Sequence, residues 1–210
     1  DQNSVGDCYF LAPLSGVARK SPRIIRDSVV DLGDGTYAVQ FFNATGAHFI
    51  RVDADLPALS STWLWGTGFG AQESIWAPVM EKAWAFFRKG FGTYASIEGG
   101  WPTELYSALQ ISNVSSAPVN EGSLIARVEE MLSQNRIVSV CTKSTATDLV
   151  GRHCYVLDRC YTDSTGRIYY VLRNPWGTDG KGADSVNDGY VTISAAKLVS
   201  NITKITGGQV

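Results

Sequence analysis

Hydrophobic side chains follow two different periods in the two halves of this 210-residue chain, which restricts the folds open to it. In the first half they recur at helical spacing over residues 7–19 and 74–89, and a β-hairpin is predicted over residues 35–53. In the second half, a helix predicted from Ser123 to Leu132 is followed by short alternating segments typical of strands. These predicted strands cover residues 137–142, 152–160, 167–174 and 189–193. The pattern predicts an α+β fold, with helices first and antiparallel strands second.

A small, polar segment closed by proline lies between the two patterns, at residues 113–118. This composition is typical of a loop between structural units. We therefore predict a linker there and two domains, residues 1–114 and residues 115–210.

Composition narrows the range of partners. The chain is 44% hydrophobic and 18% charged, and its formal charge of −2 comes without a basic block. This argues against binding to nucleic acid. No apolar run approaches the roughly 20 residues that span a membrane. We expect a soluble domain of unknown compartment, and because the chain opens on Asp1 without an initiator methionine, we expect a longer parent protein.

Two histidines and four cysteines leave few ways to build a site based on imidazole or thiol. If Cys160 faces Arg167 across the turn between the second and third predicted strands, then His153 lies opposite Asn174. Side chains so placed share one face of the sheet, about 5 Å apart at Cβ. The asparagine amide would then orient the imidazole, as a general base requires.

Cys8 is the candidate nucleophile for this base, because it lies in the first turn of a predicted helix with Asp7 as a possible N-cap. The positive end of the helix dipole and the free N–H groups are expected to stabilise its thiolate. The same N–H groups are placed to donate to an oxyanion.

Cys8, His153 and Asn174 can also be explained by purely structural roles. A cysteine near the start of an apolar helix is often a small buried hydrophobe, and a histidine opposite an asparagine is often an ordinary strand pair. Cys141, Cys154 and Cys160 lack a CxxC spacing, which argues against a zinc site with His153 and leaves a disulfide among the three open.

Several motifs, in order, resemble the calpain family of cysteine proteases. Residues 2–12 (QNSVGDCYFLA) resemble its active-site segment, residues 151–156 (GRHCYV) its histidine strand, and residues 172–177 (LRNPWG) its asparagine motif. Residues 74–83 (SIWAPVMEKA) and 94–100 (YASIEGG) are similar to the core helix and the glycine pair of the family. The resemblance covers nearly the whole chain.

The resemblance implies a papain-like fold of two lobes, a helical one with the nucleophile and an antiparallel β lobe with the histidine and asparagine. It implies that Cys8 is the nucleophile, that His153 is the general acid and base, and that Asn174 orients His153. It also implies that Gln2 donates to the oxyanion.

The resemblance further implies a set of substrate-binding residues. Gly99 and Gly100 match the glycines that pair with an extended peptide, and Trp176 matches the tryptophan that covers the histidine and asparagine. Tyr9 stands where the family usually has tryptophan, and Arg152 stands where it usually has glycine. The arginine is expected to narrow the cleft or alter its preference for substrates.

Calcium is a cofactor that the resemblance raises, since members of the family commonly bind it. Asp179, Asp184 and Asp188 form an acidic loop whose oxygens suit calcium, although their spacing reproduces neither the family pattern nor an EF-hand. The predicted chemistry itself requires no cofactor.

The sequence thus favours an endopeptidase that cleaves protein or peptide substrates with a cysteine, histidine and asparagine. Two alternatives remain at this point. A transglutaminase-like acyltransferase usually has aspartate at the third position, whereas this chain has Asn174. A papain-like module that binds peptides without cleaving them would need a misaligned cleft.

Overall fold

The computed structural model describes residues 1–60, 63–64, 66–69, 73–182 and 186–210. In these residues, no helix combines the length and the apolar character needed to cross a membrane. The α-helices of this part of the chain are α1 (Cys8–Lys20), α2 (Pro22–Ser28), α3 (Trp76–Phe87), α4 (Pro102–Ala108), α5 (Glu121–Ser133) and α6 (Ala195–Asn201). A 3₁₀ helix covers Tyr94–Ile97.

The described strands form antiparallel sheets. They are β1 (Val29–Asp31), β2 (Thr36–Asn43), β3 (Gly46–Asp53), β4 (Ala58–Ser60), β5 (Trp63–Leu64), β6 (Ser112–Ser116), β7 (Arg136–Thr142), β8 (Cys154–Thr162), β9 (Ile168–Arg173), β10 (Tyr190–Ser194) and β11 (Ile202–Gln209). One sheet has the order β1-β2-β3, a larger one has the order β10-β9-β8-β7-β11-β6, and β4 pairs with β5. Mixed helix and antiparallel sheet confirm the predicted α+β class.

Helix α1 is the element on which the two halves of the chain meet. It is buried along most of its length and packs on β7 and β8. A Cβ atom at Gly16 would lie 2.5 Å from Cγ2 of Ile137 and 3.0 Å from Cγ2 of Val156. Glycine therefore lets the helix backbone approach the sheet closely, which fixes the position of Cys8 relative to β8.

Two clusters of buried apolar side chains hold the elements together. The first joins α1, α3, α4 and β2 with one face of β7 and β8, and includes Trp84, whose ring contacts those of Phe10 and Phe41. The second lies on the opposite side of the large sheet, under α5 and α6. The sheet is thus covered on both faces near β7, where every residue is buried.

The predicted linker is wrong where it overlaps β6. Residues 112–116 form this strand, which pairs antiparallel with β11 at the edge of the large sheet. Its small polar side chains are compatible with an exposed edge strand as well as with a loop. The strand crosses the proposed boundary between residues 114 and 115, and the division into two domains remains a prediction.

The structure of the second half differs from the predicted elements in two further respects. Asn120, and not Ser123, is the N-cap of α5, since its side chain accepts a hydrogen bond from the Ser123 backbone N–H. Ser123 completes the capping box from the third position of the helix. Helix α6 and strand β11 have no counterpart among the predicted elements.

Candidate active site

Cys8 is the first residue of α1, and its thiol faces the backbone of β8. Burial raises the pKa of Cys8 to about 11, against the opposing effect of the Cys154 backbone N–H. The expected lowering of this pKa at the helix start is therefore wrong for this structure, because loss of hydration outweighs the N–H groups.

His153 lies immediately before β8 and is buried. Its Nε2 is 2.8 Å from Oδ1 of Asn174. Because this amide oxygen only accepts, Nε2 carries the proton and Nδ1 is left with its lone pair. Burial lowers the pKa of His153 to about 4, although the bond to Asn174 acts in the opposite direction.

The amide of Asn174 is itself held on several sides. Its Oδ1 also accepts from the Trp176 backbone N–H at 3.1 Å, and its Nδ2 donates to the Asp179 carbonyl at 3.2 Å. Its own backbone N–H donates to Gly189 at 2.7 Å. The amide is completely buried, so its orientation, and with it the tautomer of His153, is fixed.

The predicted strand register is wrong, although the predicted pair of side chains does meet. Cys160 lies opposite Tyr170, and a bulge between Leu157 and Arg159 shifts the register by one residue. His153 precedes the first residue of β8 and Asn174 follows the last residue of β9. The contact therefore forms between the ends of two strands and not within a ladder.

Two aromatic rings pack against the imidazole of His153. The Trp176 ring centre lies 4.6 Å from that of His153, and the Tyr155 ring meets the imidazole edge to face at 5.0 Å. The His153 backbone N–H donates to Thr142 Oγ1 at 2.9 Å. These contacts exclude water from the ring, which accounts for its lowered pKa.

Gln2 lies in an anchored segment before α1. Its backbone N–H donates to the Pro175 carbonyl at 2.8 Å, and its Nε2 donates to the Val5 carbonyl at 2.5 Å. Its Oε1 is buried without a hydrogen-bond partner in the described residues. Since a primary amide has two N–H groups, one remains for a ligand.

Gly99 and Gly100 lie after the 3₁₀ helix, next to the loop that carries Cys8. Gly99 has a φ of +64°, open space where a Cβ would stand, and a backbone N–H that donates to Gly6 at 2.9 Å. A Cβ at Gly100 would lie 2.6 Å from both Tyr9 and Glu104. Glycine is thus required at the first position by conformation and at the second by packing.

Two of the four cysteines form a bond that the sequence left open. Cys141 and Cys154 face each other on β7 and β8 and form a disulfide, with Cα atoms 4.3 Å apart. Cys8 and Cys160 are free, and Cys160 is exposed. The alternative thiol for labelling experiments is therefore Cys160.

A pair of buried acids beside Cys8 was not predicted. Asp7 and Glu81 are almost completely buried, and Glu81 accepts from the backbone N–H and the hydroxyl of Thr67, at 2.8 and 2.9 Å. Burial and the neighbouring Glu81 raise the pKa of Asp7 well above its ordinary value. Burial also raises the pKa of Glu81, and the charge of an ionised Asp7 would raise the pKa of the nearby Cys8 thiol. The signal in the sequence was the position of Glu81 on the apolar face of α3.

Removal of the Glu81 carboxylate is expected to destabilise the fold. In Glu81→Ala, the two buried donors of Thr67 lose their acceptors, which costs about 3 kcal/mol of unfolding free energy. Glu81→Gln retains an acceptor and is expected to lose about 1 kcal/mol. Urea denaturation measures both. The exposed Glu130→Ala serves as control, and an equal loss in Glu81→Ala and the control would contradict this role.

Two of the three predicted calcium candidates lie in the described part of the acidic loop after Asn174, and calcium binding there stays a prediction. Oδ1 of Asp179 accepts from Gly189, while its Oδ2 is buried without a hydrogen-bond partner among described residues. Asp188 accepts from Tyr190, and Asp184 lies outside the described residues. No group of three or more His, Cys, Asp or Glu in the described ranges is arranged to hold a metal.

A cavity of about 670 Å³ lies beside α1. Its wall includes Gln2, Leu14 and Val156, but neither Cys8 nor His153. The cavity therefore reaches the candidate site only through Gln2.

A thiol at a helix start, together with an imidazole held by an amide, is the residue set of a cysteine protease. Residues 1–199 match the family described as calpain family cysteine protease, and the chain belongs to this family. It is also similar to a thiol protease of Porphyromonas gingivalis (strain ATCC BAA-308 / W83), with 23% identity over 222 residues. That match covers 88% of this chain and 45% of the relative, so the chain spans less than half the length of this relative.

Proposed function

We propose that the chain is an endopeptidase that cleaves peptide bonds with Cys8, His153 and Asn174. The observation that carries this proposal is the bond between His153 Nε2 and Asn174 Oδ1, which leaves Nδ1 as the free base. The Cys8 thiol faces the N–H of the residue that follows His153. Membership of the calpain family of cysteine proteases supports the same reaction.

The proposed reaction has two stages. Nδ1 of His153 accepts the thiol proton while the Cys8 sulfur attacks the scissile carbonyl carbon, and the carbonyl electron pair moves to oxygen. The carbonyl re-forms as the C–N bond breaks, and the imidazolium gives its proton to the leaving amine. Water then attacks the thioester carbonyl carbon while His153 takes its proton. The C–S bond breaks to release the carboxylic acid, and the imidazolium returns the proton to the Cys8 sulfur.

Gln2 and the backbone N–H of Cys8 are the proposed donors to the oxyanion. The second N–H of the Gln2 side-chain amide remains available after the bond to Val5. The N–H of Cys8 is one of the first in α1, which have no acceptors within the helix. Such donors stabilise the charge that develops in the transition state.

We further propose a papain-like arrangement in which residues 1–114 and 115–210 form two lobes with the cleft between them. The packing of α1 on β7 and β8 supports this, since it brings the nucleophile of one half to the base of the other. Gly99 and Gly100 would pair with an extended peptide on one side, and Trp176 would cover His153.

Cleavage of an unfolded protein tests the proposal. Reduced and alkylated casein is incubated with the wild type, Cys8→Ala and Cys160→Ala, and new peptides are identified by mass spectrometry. We expect cleavage by the wild type and Cys160→Ala, and none by Cys8→Ala. Transfer of amines to glutamine side chains without hydrolysis would favour the acyltransferase, and binding of casein without cleavage would favour the silent module.

The pH dependence of kcat/KM is expected to follow the base form of His153. Because the pKa of His153 is lowered to about 4, Nδ1 stays unprotonated at pH 7 and becomes protonated as the pH falls through that value. We therefore expect an acid limb near pH 4. Asn174→Ala removes a bond that raises this pKa and should shift the limb to lower pH. A limb near the ordinary imidazole value of 6.5 would contradict the buried site.

Removal of metal is expected to leave the site competent. The described carboxylates after Asn174 do not converge on a metal position, so labelling of Cys8 by a peptidyl epoxide should change less than about twofold between EDTA and calcium. Mass spectrometry of the labelled peptide measures this, with Cys160 as the internal comparison. Labelling of Cys8 that requires calcium would contradict the expectation.

A further inference from the structure

Arg152 has a strained backbone at a position beside the catalytic base. It directly precedes His153, and its φ of +52° places it in the left-handed region. An L-residue other than glycine, asparagine or aspartate adopts this region at a cost of about 1 kcal/mol. Glycine would avoid this strain, so arginine at this position lowers the stability of the fold.

Contacts of the Arg152 side chain with the described residues do not offset this loss of stability. Its backbone N–H donates to the Lys143 carbonyl at 3.2 Å, but its guanidinium has no ion pair or hydrogen bond with any described residue. Arg88, by contrast, makes a two-point contact with Glu104. Arg152 is also exposed, so a charged ligand can reach it.

The same loop carries a second cation without a carboxylate partner in the described residues. The Lys143 ammonium donates to the Ser200 carbonyl and has no ion pair with a described carboxylate, while Asp148, further along the same loop, is paired with Lys197. Arg152 and Lys143, joined by a backbone hydrogen bond, therefore place two cations without a described carboxylate partner close to His153. An acidic side chain is the natural complement of such a surface.

We propose that Arg152 determines specificity by favouring substrates with Asp or Glu within two residues of the scissile bond. This inference rests on the proposed peptidase function, because the peptide must pass His153 for the guanidinium to meet it. A charge pair at an exposed site is worth about a twofold to fivefold preference in kcat/KM, and salt weakens it.

A peptide library made by trypsin digestion of a proteome locates the preference. Cleavage sites are read by mass spectrometry, and the best sequence is synthesised with Glu or Gln at each of the four nearest positions. The ratio of kcat/KM for Glu over Gln is then measured for the wild type, Arg152→Gly, Arg152→Asn and Arg152→Lys. Gly and Asn both tolerate a positive φ, so loss of charge is separated from misfolding.

At one or more positions, we expect a Glu-over-Gln ratio of about two to five in the wild type and Arg152→Lys, and near one in Arg152→Gly and Arg152→Asn. The ratio should fall at 0.5 M NaCl, and Arg26→Gln, an exposed arginine on α2, should retain it. An equal ratio in the wild type and Arg152→Gly at all four positions would overturn the inference. Failure of the proposed function would look different, since no peptide would then be cleaved.

Discussion

His153→Ala is expected to lower kcat/KM by about a thousandfold or more, because it removes the base that accepts the thiol proton. Burial raises the pKa of Cys8 to about 11, so very little thiolate exists at pH 7 without that base. We therefore expect Cys8, the proposed nucleophile, to lose its proton during the attack. Initial rates of peptide hydrolysis at pH 7 measure the loss.

The second histidine of the chain provides a matched control. His48 lies on the β2–β3 hairpin, where its Nε2 contacts Asn43 and Thr45, and its replacement by alanine should leave kcat/KM within about twofold. His153→Gln keeps a polar group of similar size and separates loss of the base from loss of packing. A loss below tenfold in His153→Ala, with the fold intact, would contradict the assigned role.

Gln2→Ala is expected to lower kcat by about a hundredfold with little change in KM. The reason is that a donor to the oxyanion acts on the transition state far more than on the bound substrate. Steady-state kinetics on a peptide substrate separate kcat from KM. Labelling of Cys8 by an alkylating agent that forms no oxyanion should persist.

Asn3→Ala controls for the anchoring of this segment. Asn3 donates to the Leu64 carbonyl at 3.0 Å and holds the same stretch of chain, but it is not a proposed donor to substrate. We expect its effect on kcat to be less than about fivefold. Equal losses in Gln2→Ala and Asn3→Ala would show that Gln2 acts through the position of the segment, and would contradict direct donation.

Much of the first half of the fold could be predicted from periodicity. The hairpin of β2 and β3 and the long helices α1 and α3 lie where the apolar pattern predicts them, because one face of each is buried in a single core. The second half was harder to predict. Strand β11 contains Gly207 and Gly208, and a Cβ at Gly208 would meet the ring of Tyr106 at 2.5 Å. Paired glycines in a sequence indicate a loop, whereas here they let a strand pass close to an aromatic ring.

One contact of the candidate site could be predicted from the sequence, whereas the strand register and the buried acids could not. The meeting of His153 and Asn174 was predicted for a register that does not exist, since β8 extends to Thr162, which lies opposite Ile168, so the hairpin turns later than predicted. The bulge after Leu157 changes the register by only one further residue. Bulges depend on the tertiary path of the strand and leave little trace in the sequence. Burial of Asp7 beside Glu81 likewise depends on how α1 and α3 pack, so the raised pKa of Asp7 could not be predicted.

Detection of a covalent acyl-enzyme intermediate tests most directly whether Cys8 is the nucleophile. The protein is mixed with a peptide ester, the reaction is stopped in acid within milliseconds to seconds, and each cysteine-containing peptide is weighed by mass spectrometry. We expect an acyl group on the peptide that contains Cys8. It should form and disappear at the rate of turnover, and it should be absent in Cys8→Ala. An acyl group on Cys160, or continued turnover in Cys8→Ala, would contradict this expectation.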